Sequence, residues 1–367
     1  MKTKSTGAKY SAIVGIGEQL KQLEQETGQK YLRLNRGIPT VTQIDLSEVI
    51  PLIDFNSAEL QVYPPNSGLM RLKKAINHYY FNDTSSEENI MITAGGMNGL
   101  DLIFKTLDTS LVLLPEFYWG AYANILKINQ IPFETYYSFE NLLAKKEQYK
   151  DASVIICDPN NPMGNKYDDK MLLEMVRKLN VNDTNIIWDS PYRKLFIEGK
   201  DDFYSQLICY DKVIVCDSFS KSIGLSGQRL GFVHSNNKQF LEVFNINLLY
   251  ATNGINAFAQ ILVEKILSTP QGQRAAFEFR EATRIAMKQN IDYLREKGFL
   301  AEEFYQDSDP VGIFTVVKFS EKELLQHHIG SVGLYYFTIK KDGPAQDYSR
   351  LCISVPHEEL KAYFDNI

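Results

Sequence analysis

Three polar segments in the middle of the chain carry side chains that could act together in chemistry. They hold Asn161, then Asp189 with Tyr192, and then Lys221 followed eight residues later by Arg229. A lysine amine can act as a nucleophile or a general base, and an arginine binds anions through charge-assisted hydrogen bonds. Each segment alone is typical of a surface turn. Because each of them closely follows an apolar run, together they indicate one shared binding crevice.

The apolar runs before these segments predict the strands that position them. The runs are Leu111–Pro115, Ser153–Asp158, Asn185–Asp189, Lys212–Asp217 and Gly231–His234. They are apolar throughout rather than alternating, which is typical of strands buried on both faces of a parallel sheet. Amphipathic stretches between them, such as Asp168–Leu179, predict helices. The alternation predicts an α/β domain, in which ligands bind beyond the carboxyl ends of the strands.

The two ends of the chain have a different pattern. Helical spacing predicts helices at Val14–Glu26, from Asn256 to Lys297, and at His357–Phe364, and apolar runs predict strands at Ile313–Phe319 and Leu334–Ile339. We therefore predict a large domain over residues 45–255. Residues 1–44 together with 256–367 would form a smaller α+β domain.

The composition excludes several classes of protein. Of 367 residues, 44% are apolar and 23% charged, and the net charge of −6 lacks the basic excess of nucleic-acid binders. No run approaches the roughly 18 apolar residues of a membrane helix, and no apolar signal segment follows the N-terminal lysines. The four cysteines form no C-x-x-C pair, and the five histidines form no H-x-x-x-H pair. We therefore expect a cytoplasmic protein without a metal, membrane or nucleic-acid partner.

The chain resembles the fold-type I pyridoxal-phosphate (PLP) enzymes, specifically the class I/II aminotransferases, over about residues 30–355. Six motifs carry the resemblance, in the family's order. They are Tyr63-Pro-Pro-Asn-Ser-Gly68, Thr93-Ala-Gly95-Gly96-Met97, Asn161-Pro-Met-Gly164, Asp189-Ser-Pro-Tyr192, Ser218-Phe-Ser220-Lys221 with Arg229, and Arg350-Leu-Cys-Ile-Ser354. The resemblance implies a mostly parallel seven-stranded sheet with helices on both faces, a smaller α+β domain, and PLP as the cofactor.

The resemblance assigns Lys221, Asp189 and Tyr192 to catalysis. Lys221 would form a Schiff base with PLP and then move a proton at the substrate α-carbon. Asp189 would face the pyridine nitrogen and keep it protonated, so that the ring withdraws electrons. Asn161 and Tyr192 would donate hydrogen bonds to the phenolate oxygen of the ring.

The resemblance also implies which residues hold the phosphate of the cofactor. These are Gly95, Gly96, Met97, Ser218, Ser220, Arg229 and, reaching in from the neighbouring subunit, Tyr63. The glycine-rich segment would open a helix, whose N-terminal N–H groups favour an anion. The hydroxyls and the guanidinium would add further hydrogen bonds to it. Because Tyr63 serves a neighbour, a homodimer with shared sites is expected.

The remaining site residues cover the cofactor ring and bind the substrate. Trp119 would lie on the ring face, with Phe117 as the second candidate. Arg350 would bind the substrate α-carboxylate, because a planar guanidinium matches a carboxylate with two hydrogen bonds. Asn161 would assist it, and the backbone at Gly37 would close the site.

The implied function is transfer of an amino group between an α-amino acid and a 2-oxo acid. Members specific for dicarboxylates use a second arginine from the partner subunit, and Asn247 stands at the corresponding place here. A neutral or aromatic donor is therefore expected rather than a dicarboxylic one. Two alternatives remain open: a PLP-dependent lyase that performs β-elimination or C–S cleavage, and a non-catalytic sensor domain. The sensor domain is less expected, because only about 30 residues precede the match.

Overall fold

A seven-stranded sheet forms the centre of the larger part of the molecule. The computed structural model describes residues 1–3, 5–197 and 201–367. In chain order, the strands of this sheet are β1 (Ile90–Thr93), β2 (Val112–Pro115), β3 (Phe133–Tyr136), β4 (Ser153–Ile156), β5 (Asn185–Asp189), β6 (Val213–Ser218) and β7 (Gly231–Ser235). Their spatial order is β1-β7-β6-β5-β4-β2-β3. Only the β7 pairings, with β1 and β6, are antiparallel, which confirms the predicted mostly parallel sheet.

The five predicted apolar runs all form strands of this sheet. The sequence analysis missed β1 and β3, which are the two edge strands. In β3, Tyr136 is buried and the other three residues are partly or fully exposed, which is typical of a strand at the edge of a sheet. In the centre, Asp189 of β5 lies in register with Cys216 of β6. The carboxyl ends of these two parallel strands therefore meet at one edge of the sheet.

Helices surround the sheet and form much of the rest of the chain. They are α1 (Ala12–Thr27), α2 (Met70–Phe81), α3 (Gly96–Thr106), α4 (Gly120–Asn129), α5 (Phe139–Ala144), α6 (Asp169–Val181), α7 (Arg193–Phe196), α8 (Phe203–Leu207), α9 (Phe219–Ser222), α10 (Lys238–Thr252), α11 (Ala257–Ser268), α12 (Pro270–Glu296), α13 (Glu321–Gln326) and α14 (His357–Phe364). Short 3₁₀ turns occur at Ile50–Leu52, Ala58–Leu60, Glu87–Asn89, Lys146–Tyr149, Ser226–Gln228, Glu302–Phe304, Leu334–Phe337 and Pro344–Asp347. No helix in the described ranges is both long and apolar enough to cross a membrane.

The helical pattern from Asn256 to Lys297 is two helices rather than one. The chain breaks between α11 and α12 at Thr269 and Pro270. Proline lacks a backbone N–H, and it disfavours helical geometry in the residue before it. The Thr269 hydroxyl then caps the new helix by accepting a hydrogen bond from the backbone N–H of Gly272 at 3.1 Å.

The predicted strand Leu334–Ile339 is wrong. Leu334–Phe337 is a 3₁₀ turn, and the strand of this region is the preceding pair Val332–Gly333. Leu334 and Phe337 are both buried and lie three residues apart, which is the spacing of one side of a 3₁₀ turn. The apolar residues of this run therefore follow the three-residue period of a 3₁₀ turn and not the two-residue period of a strand.

Short strands outside the central sheet build the smaller part. Phe314–Val317 pairs antiparallel with Ser349–Cys352, which also pairs with Val332–Gly333. Two further two-residue pairings join Leu32–Arg33 with Ile329–Gly330 and Asn165–Lys166 with Asp309–Pro310. Phe314–Val317 lies within the predicted strand Ile313–Phe319, so the central part of that prediction is confirmed. This arrangement brings Arg350 towards the large sheet.

Buried apolar side chains form two main clusters. One surrounds the central sheet and includes Ile187 together with Leu262 of α11. The other joins Leu34 near the N-terminus to Leu294 of α12 and to the smaller sheet. The division into a large domain, residues 45–255, and a small domain, residues 1–44 with 256–367, remains a prediction. Helix α11 falls in the predicted small domain, but its buried side chains pack in the first cluster.

Candidate active site

A cavity of about 450 Å³ lies at the carboxyl ends of β5 and β6. It is bounded on the other side by the smaller sheet and the N-terminal segment. The predicted site residues that line it are Gly37, Gly96, Met97, Trp119, Asn161, Asp189, Tyr192, Ser218, Ser220, Lys221, Arg229 and Arg350. The structure therefore brings these side chains together, while the roles that the resemblance gives them remain predictions.

Lys221 lies in the single turn α9, directly after β6. The backbone N–H of Phe219 donates to the carbonyl of Leu230 at 3.1 Å, which ties this turn to the start of β7. Burial lowers the pKa of Lys221 to about 8; the nearby Cys352 opposes this shift, and Arg229 and Arg350 add to it. The lowered pKa makes the neutral amine, which is the nucleophilic and basic form, available near neutral pH.

Asp189 ends β5 and is buried at the wall of the cavity. Burial raises the pKa of its carboxyl to about 6, and a hydrogen bond from the Tyr122 hydroxyl opposes that shift. Tyr122 itself is fully buried on α4, and it lies three residues after Trp119, which is nearly one helical turn. The tyrosine therefore fixes the orientation of the carboxylate. The sequence analysis assigned it no role, although it lies in the aromatic segment that begins at Pro115.

Arg350 is held in the cavity wall without a carboxylate partner among the described residues. Its Nη1 donates to Asn161 Oδ1 at 3.3 Å, its Nη2 donates to the carbonyl of Asn35, and its Nε has no hydrogen-bond partner among the described residues. The guanidinium carbon also lies 4.4 Å from the centre of the Phe314 ring. Burial lowers the pKa of Arg350 to about 10. A buried cation held in this way is suited to receiving an external anion.

The other end of the cavity is built from the start of α3 and the turn that follows β6. Gly95 precedes the helix with a φ of 85°, and a Cβ there would lie 2.9 Å from Nη2 of Arg229. The positive φ therefore favours glycine at this position, and the missing side chain leaves room for the guanidinium. Ser218 and Ser220 are buried beside it. The helix N-terminus, two hydroxyls and a guanidinium make a donor set that suits a phosphate.

Of Trp119, Phe117 and Tyr63, only Trp119 lines the catalytic cavity. Trp119 lines the cavity, with its ring centre 5.5 Å from that of Tyr122. Phe117 lies outside the cavity and packs edge-on against Phe304 at 5.8 Å. Tyr63 is 82% exposed in a separate surface depression of this chain. Its contribution to a neighbouring subunit stays a prediction.

Comparison with known proteins decides the family. The model of the family described as aminotransferase class I and II matches residues 32–367. The chain belongs to this family. The predicted enzyme class, a PLP-dependent aminotransferase, is thereby confirmed.

The relatives of this aminotransferase are named after different substrates. The chain is 26% identical over 232 residues to an aspartate aminotransferase of Pyrococcus horikoshii, a match that covers 60% of this chain and 59% of that enzyme. It is also 26% identical over 321 residues to a histidinol-phosphate aminotransferase of Buchnera aphidicola, covering 83% and 85% of the two chains. The solved aspartate aminotransferase of Thermus thermophilus with maleate superimposes with a TM-score of 0.83 at 18% identity, covering 100% and 98% of the two chains. This structural likeness confirms the predicted fold class.

The residues of the cavity fit the family's cofactor. A Cβ at Gly95 would lie 2.9 Å from the end of the Arg229 side chain, so glycine keeps the space beside the guanidinium open. The donors there match a phosphate dianion, and the buried carboxylate of Asp189 matches a protonated ring nitrogen. Lys221 lies in the same cavity and provides the amine that a carbonyl cofactor requires.

Some lining residues of this aminotransferase had no local signal in the sequence. Ser11, Ile13 and Val14 bring the start of α1 to the mouth of the cavity, where Ile38 also lies. Phe314 lines the cavity from the smaller sheet. These contacts join parts of the chain that are far apart in sequence, so only the packing of the smaller part against the large sheet creates them.

Proposed function

We propose that this aminotransferase moves an amino group between a neutral or aromatic α-amino acid and a 2-oxo acid. The observation that carries the proposal is the convergence of an amine, a buried carboxylate and a buried guanidinium on one cavity. These groups are Lys221, Asp189 and Arg350. The three groups match the needs of amino transfer: a proton carrier, a counter-charge for the cofactor, and a site for the substrate carboxylate.

Each end of the cavity has its own part in holding the cofactor. The start of α3, together with Ser218, Ser220 and Arg229, would hold the phosphate, and Asp189 would hold the ring nitrogen. Asn161 and Tyr192, whose amide nitrogen and hydroxyl oxygen are 3.5 Å apart, would donate to the phenolate oxygen, and Trp119 would cover the ring. When bound, PLP supplies a carbonyl that reacts with amines and a ring that withdraws electrons from the substrate α-carbon.

Lys221 would carry the proton of the reaction. Its amine takes a proton from the substrate α-carbon and later returns one, which is general base and general acid catalysis by the same group. Arg350 and Asn161 would hold the α-carboxylate, so that the α-carbon stays within reach of the amine. The half-buried position of Lys221 restricts water at the amine.

The mouth of the cavity supports a neutral or aromatic substrate side chain. Ile13, Val14 and Ile38 present apolar surface there, and Phe314 continues it inward. Asn247, which stands in place of the arginine of dicarboxylate-specific relatives, donates to Thr106 Oγ1 of its own chain at 3.1 Å. A distal carboxylate would find Arg36 as its cationic partner at the mouth and would otherwise meet these apolar side chains.

The test is a comparison of amino donors, with formation of the new amino acid measured by chromatography. We expect kcat/KM for leucine, phenylalanine or tyrosine to exceed that for aspartate by at least about tenfold. An unpaired carboxylate among apolar side chains costs more than the roughly 1.4 kcal/mol that a tenfold change represents. Arg36, which also lines the mouth, provides a comparison: Arg36→Met should lower kcat/KM for aspartate more than for leucine.

Three outcomes would contradict the proposal. A kcat/KM for aspartate well above those of the other donors would reject the substrate class. Release of a 2-oxo acid and ammonia without any acceptor would indicate a lyase. No product from any donor or acceptor would favour a non-catalytic sensor domain.

We further propose that the protein is a cytoplasmic homodimer whose sites are shared between subunits. The depression that holds Tyr63 also contains the exposed side chains of Phe55 and Val62, an apolar surface suited to a partner. Light scattering at micromolar concentration is expected to give about twice the chain mass of 42.0 kDa. A fully active monomer would reject the dimer, and cell fractionation would test the location.

A further inference from the structure

A second cavity, of about 260 Å³, lies at the carboxyl ends of β2, β3 and β4. It shares a chain segment with the catalytic cavity, because Asn161 lines the first cavity, whereas Cys157, Asn160 and Asn165 line the second. This position, beyond the carboxyl ends of parallel strands, is where α/β sheets bind ligands. Of the site residues predicted above, only Phe117, the second candidate for covering the ring, is among those that line this cavity.

Six aromatic rings line the second cavity. They are Phe117, Tyr136, Tyr137, Phe139, Tyr167 and Phe304. On one side, the ring centres of Phe139 and Tyr167 lie 4.9 Å apart and those of Tyr136 and Phe139 lie 6.0 Å apart. On the other side, Phe304 packs edge-on against Phe117. The cavity is therefore bounded by two groups of mutually supported rings.

The charged groups among the described lining residues are carboxylates. Glu116 and Glu303 both line the cavity, and the described lining includes no lysine, arginine or histidine. Each carboxylate forms an ion pair with an exposed lysine, Glu116 with Lys340 at 3.7 Å and Glu303 with Lys318 at 3.8 Å, and Glu303 also accepts a hydrogen bond from the Tyr348 hydroxyl at 2.6 Å. Lys340 also places its ammonium 4.6 Å from the centre of the Tyr137 ring. The rim thus already binds an ammonium group of the chain itself.

A buried acceptor without a partner lies in the same wall. Asn165 is only 5% exposed, and its Nδ2 donates to Ser308 Oγ at 3.1 Å. Its Oδ1 is buried and accepts no hydrogen bond from the described residues. Because the oxygen itself is closed to solvent, its dipole favours a positive charge in the cavity without a direct contact.

We propose that this second cavity binds a small organic cation with an apolar body, such as a substituted ammonium ion. Aromatic faces attract cations, and their attraction grows where water is excluded. Two carboxylates add a matching charge, and the Asn165 carbonyl adds a matching dipole. An anionic ligand would meet carboxylates of its own charge sign. The proposal does not depend on the amino-transfer chemistry of the first cavity.

Choline is the probe that tests this proposal with the intact holoenzyme. Its quaternary nitrogen has no N–H, so it cannot react with the carbonyl of the cofactor. Calorimetric titration is expected to show binding of choline and at least about tenfold weaker binding of 3,3-dimethylbutan-1-ol, which has the same shape without the charge. The Lys221→Ala protein should bind choline as the wild type does, because this lysine lines only the catalytic cavity.

Two variants test which groups hold the cation. The double variant Glu116→Gln, Glu303→Gln should weaken choline binding at least about tenfold, with each glutamine keeping a hydrogen-bond acceptor. Tyr137→Leu should weaken binding as well, and its ring is 56% exposed, so folding does not depend on it. Glu134→Gln is the matched control, because Glu134 is exposed on β3 and does not line the cavity.

The proposal is overturned by any of three results. The first is no binding at about 10 mM choline. The second is equal binding of choline and the neutral alcohol. The third is unchanged affinity in both the double glutamate variant and Tyr137→Leu.

Discussion

Replacing Lys221 with alanine is expected to lower kcat by at least about 10³-fold, a typical scale for the loss of a general base. No other lysine lines the catalytic cavity among the described residues, so none is placed to substitute for it. The fold should survive, because the Lys221 side chain is half-buried and removing a partly desolvated amine relieves an electrostatic cost. Steady-state kinetics and the thermal midpoint Tm, measured on the same preparation, test both statements.

A covalent readout separates the role of Lys221 from a general loss of activity. Reduction of the wild-type holoenzyme with borohydride, followed by peptide mass spectrometry, should place the cofactor on the peptide that contains Lys221. Lys105→Ala is the control, since this exposed lysine of α3 pairs with Asp101 at 2.6 Å and should leave kcat unchanged. A Lys221→Ala variant that keeps more than about one part in 10³ of the wild-type activity would show that the lysine is wrongly assigned.

Asp189→Asn is expected to lower kcat by about 10²- to 10³-fold, the scale for removing one fixed electrostatic group from an active site. The asparagine has nearly the same shape and keeps an oxygen that can accept the hydrogen bond from Tyr122. Only the negative charge is lost, and with it the preference for a protonated ring nitrogen. Asp217→Asn is the comparison, because Asp217 is also buried near the end of a central strand, β6, but does not line the cavity.

The same variant has a stability readout that needs no cofactor. Burial raises the pKa of Asp189 to about 6, so the ionised carboxylate destabilises the folded chain above that pH. The penalty is absent below the unfolded pKa of about 4 and grows as the pH rises to about 6. Without cofactor, Asp189→Asn should therefore have a higher Tm than the wild type at pH about 8, and the difference should vanish near pH about 4. A lower Tm at both pH values, or a kcat loss matched by Asp217→Asn, would contradict the assignment.

Most of the candidate site could be predicted from the sequence, because it follows the strands. Asn161, Asp189 and Lys221 come after apolar runs, and parallel strands bring their carboxyl ends to one edge. Local chemistry thus determined both the strands and the residues at their ends. Arg350 lies in the small sheet, and only the resemblance to a known family connected it to this edge.

Other parts of the fold depended on details that the apolar pattern does not contain. Pro270 divides one helical pattern into two helices, because proline breaks the hydrogen-bond ladder locally. Leu334 and Phe337 were read as part of a strand, although their spacing also suits a 3₁₀ turn. The edge strands β1 and β3 were not predicted, because continuous apolar runs are typical of strands in the centre of a sheet.

The sequence by itself determined the five inner strands of the central sheet, the residues at their ends, the family and thereby the cofactor. Only the tertiary structure decided that Tyr122 holds the carboxylate of Asp189, that Ile13 and Val14 reach the mouth of the cavity, and that a second cavity lies beside Asn165. The physical reason is the range of the interactions. Strand burial and turn chemistry act between neighbours in the chain, whereas these contacts arise from packing between segments that are distant in sequence.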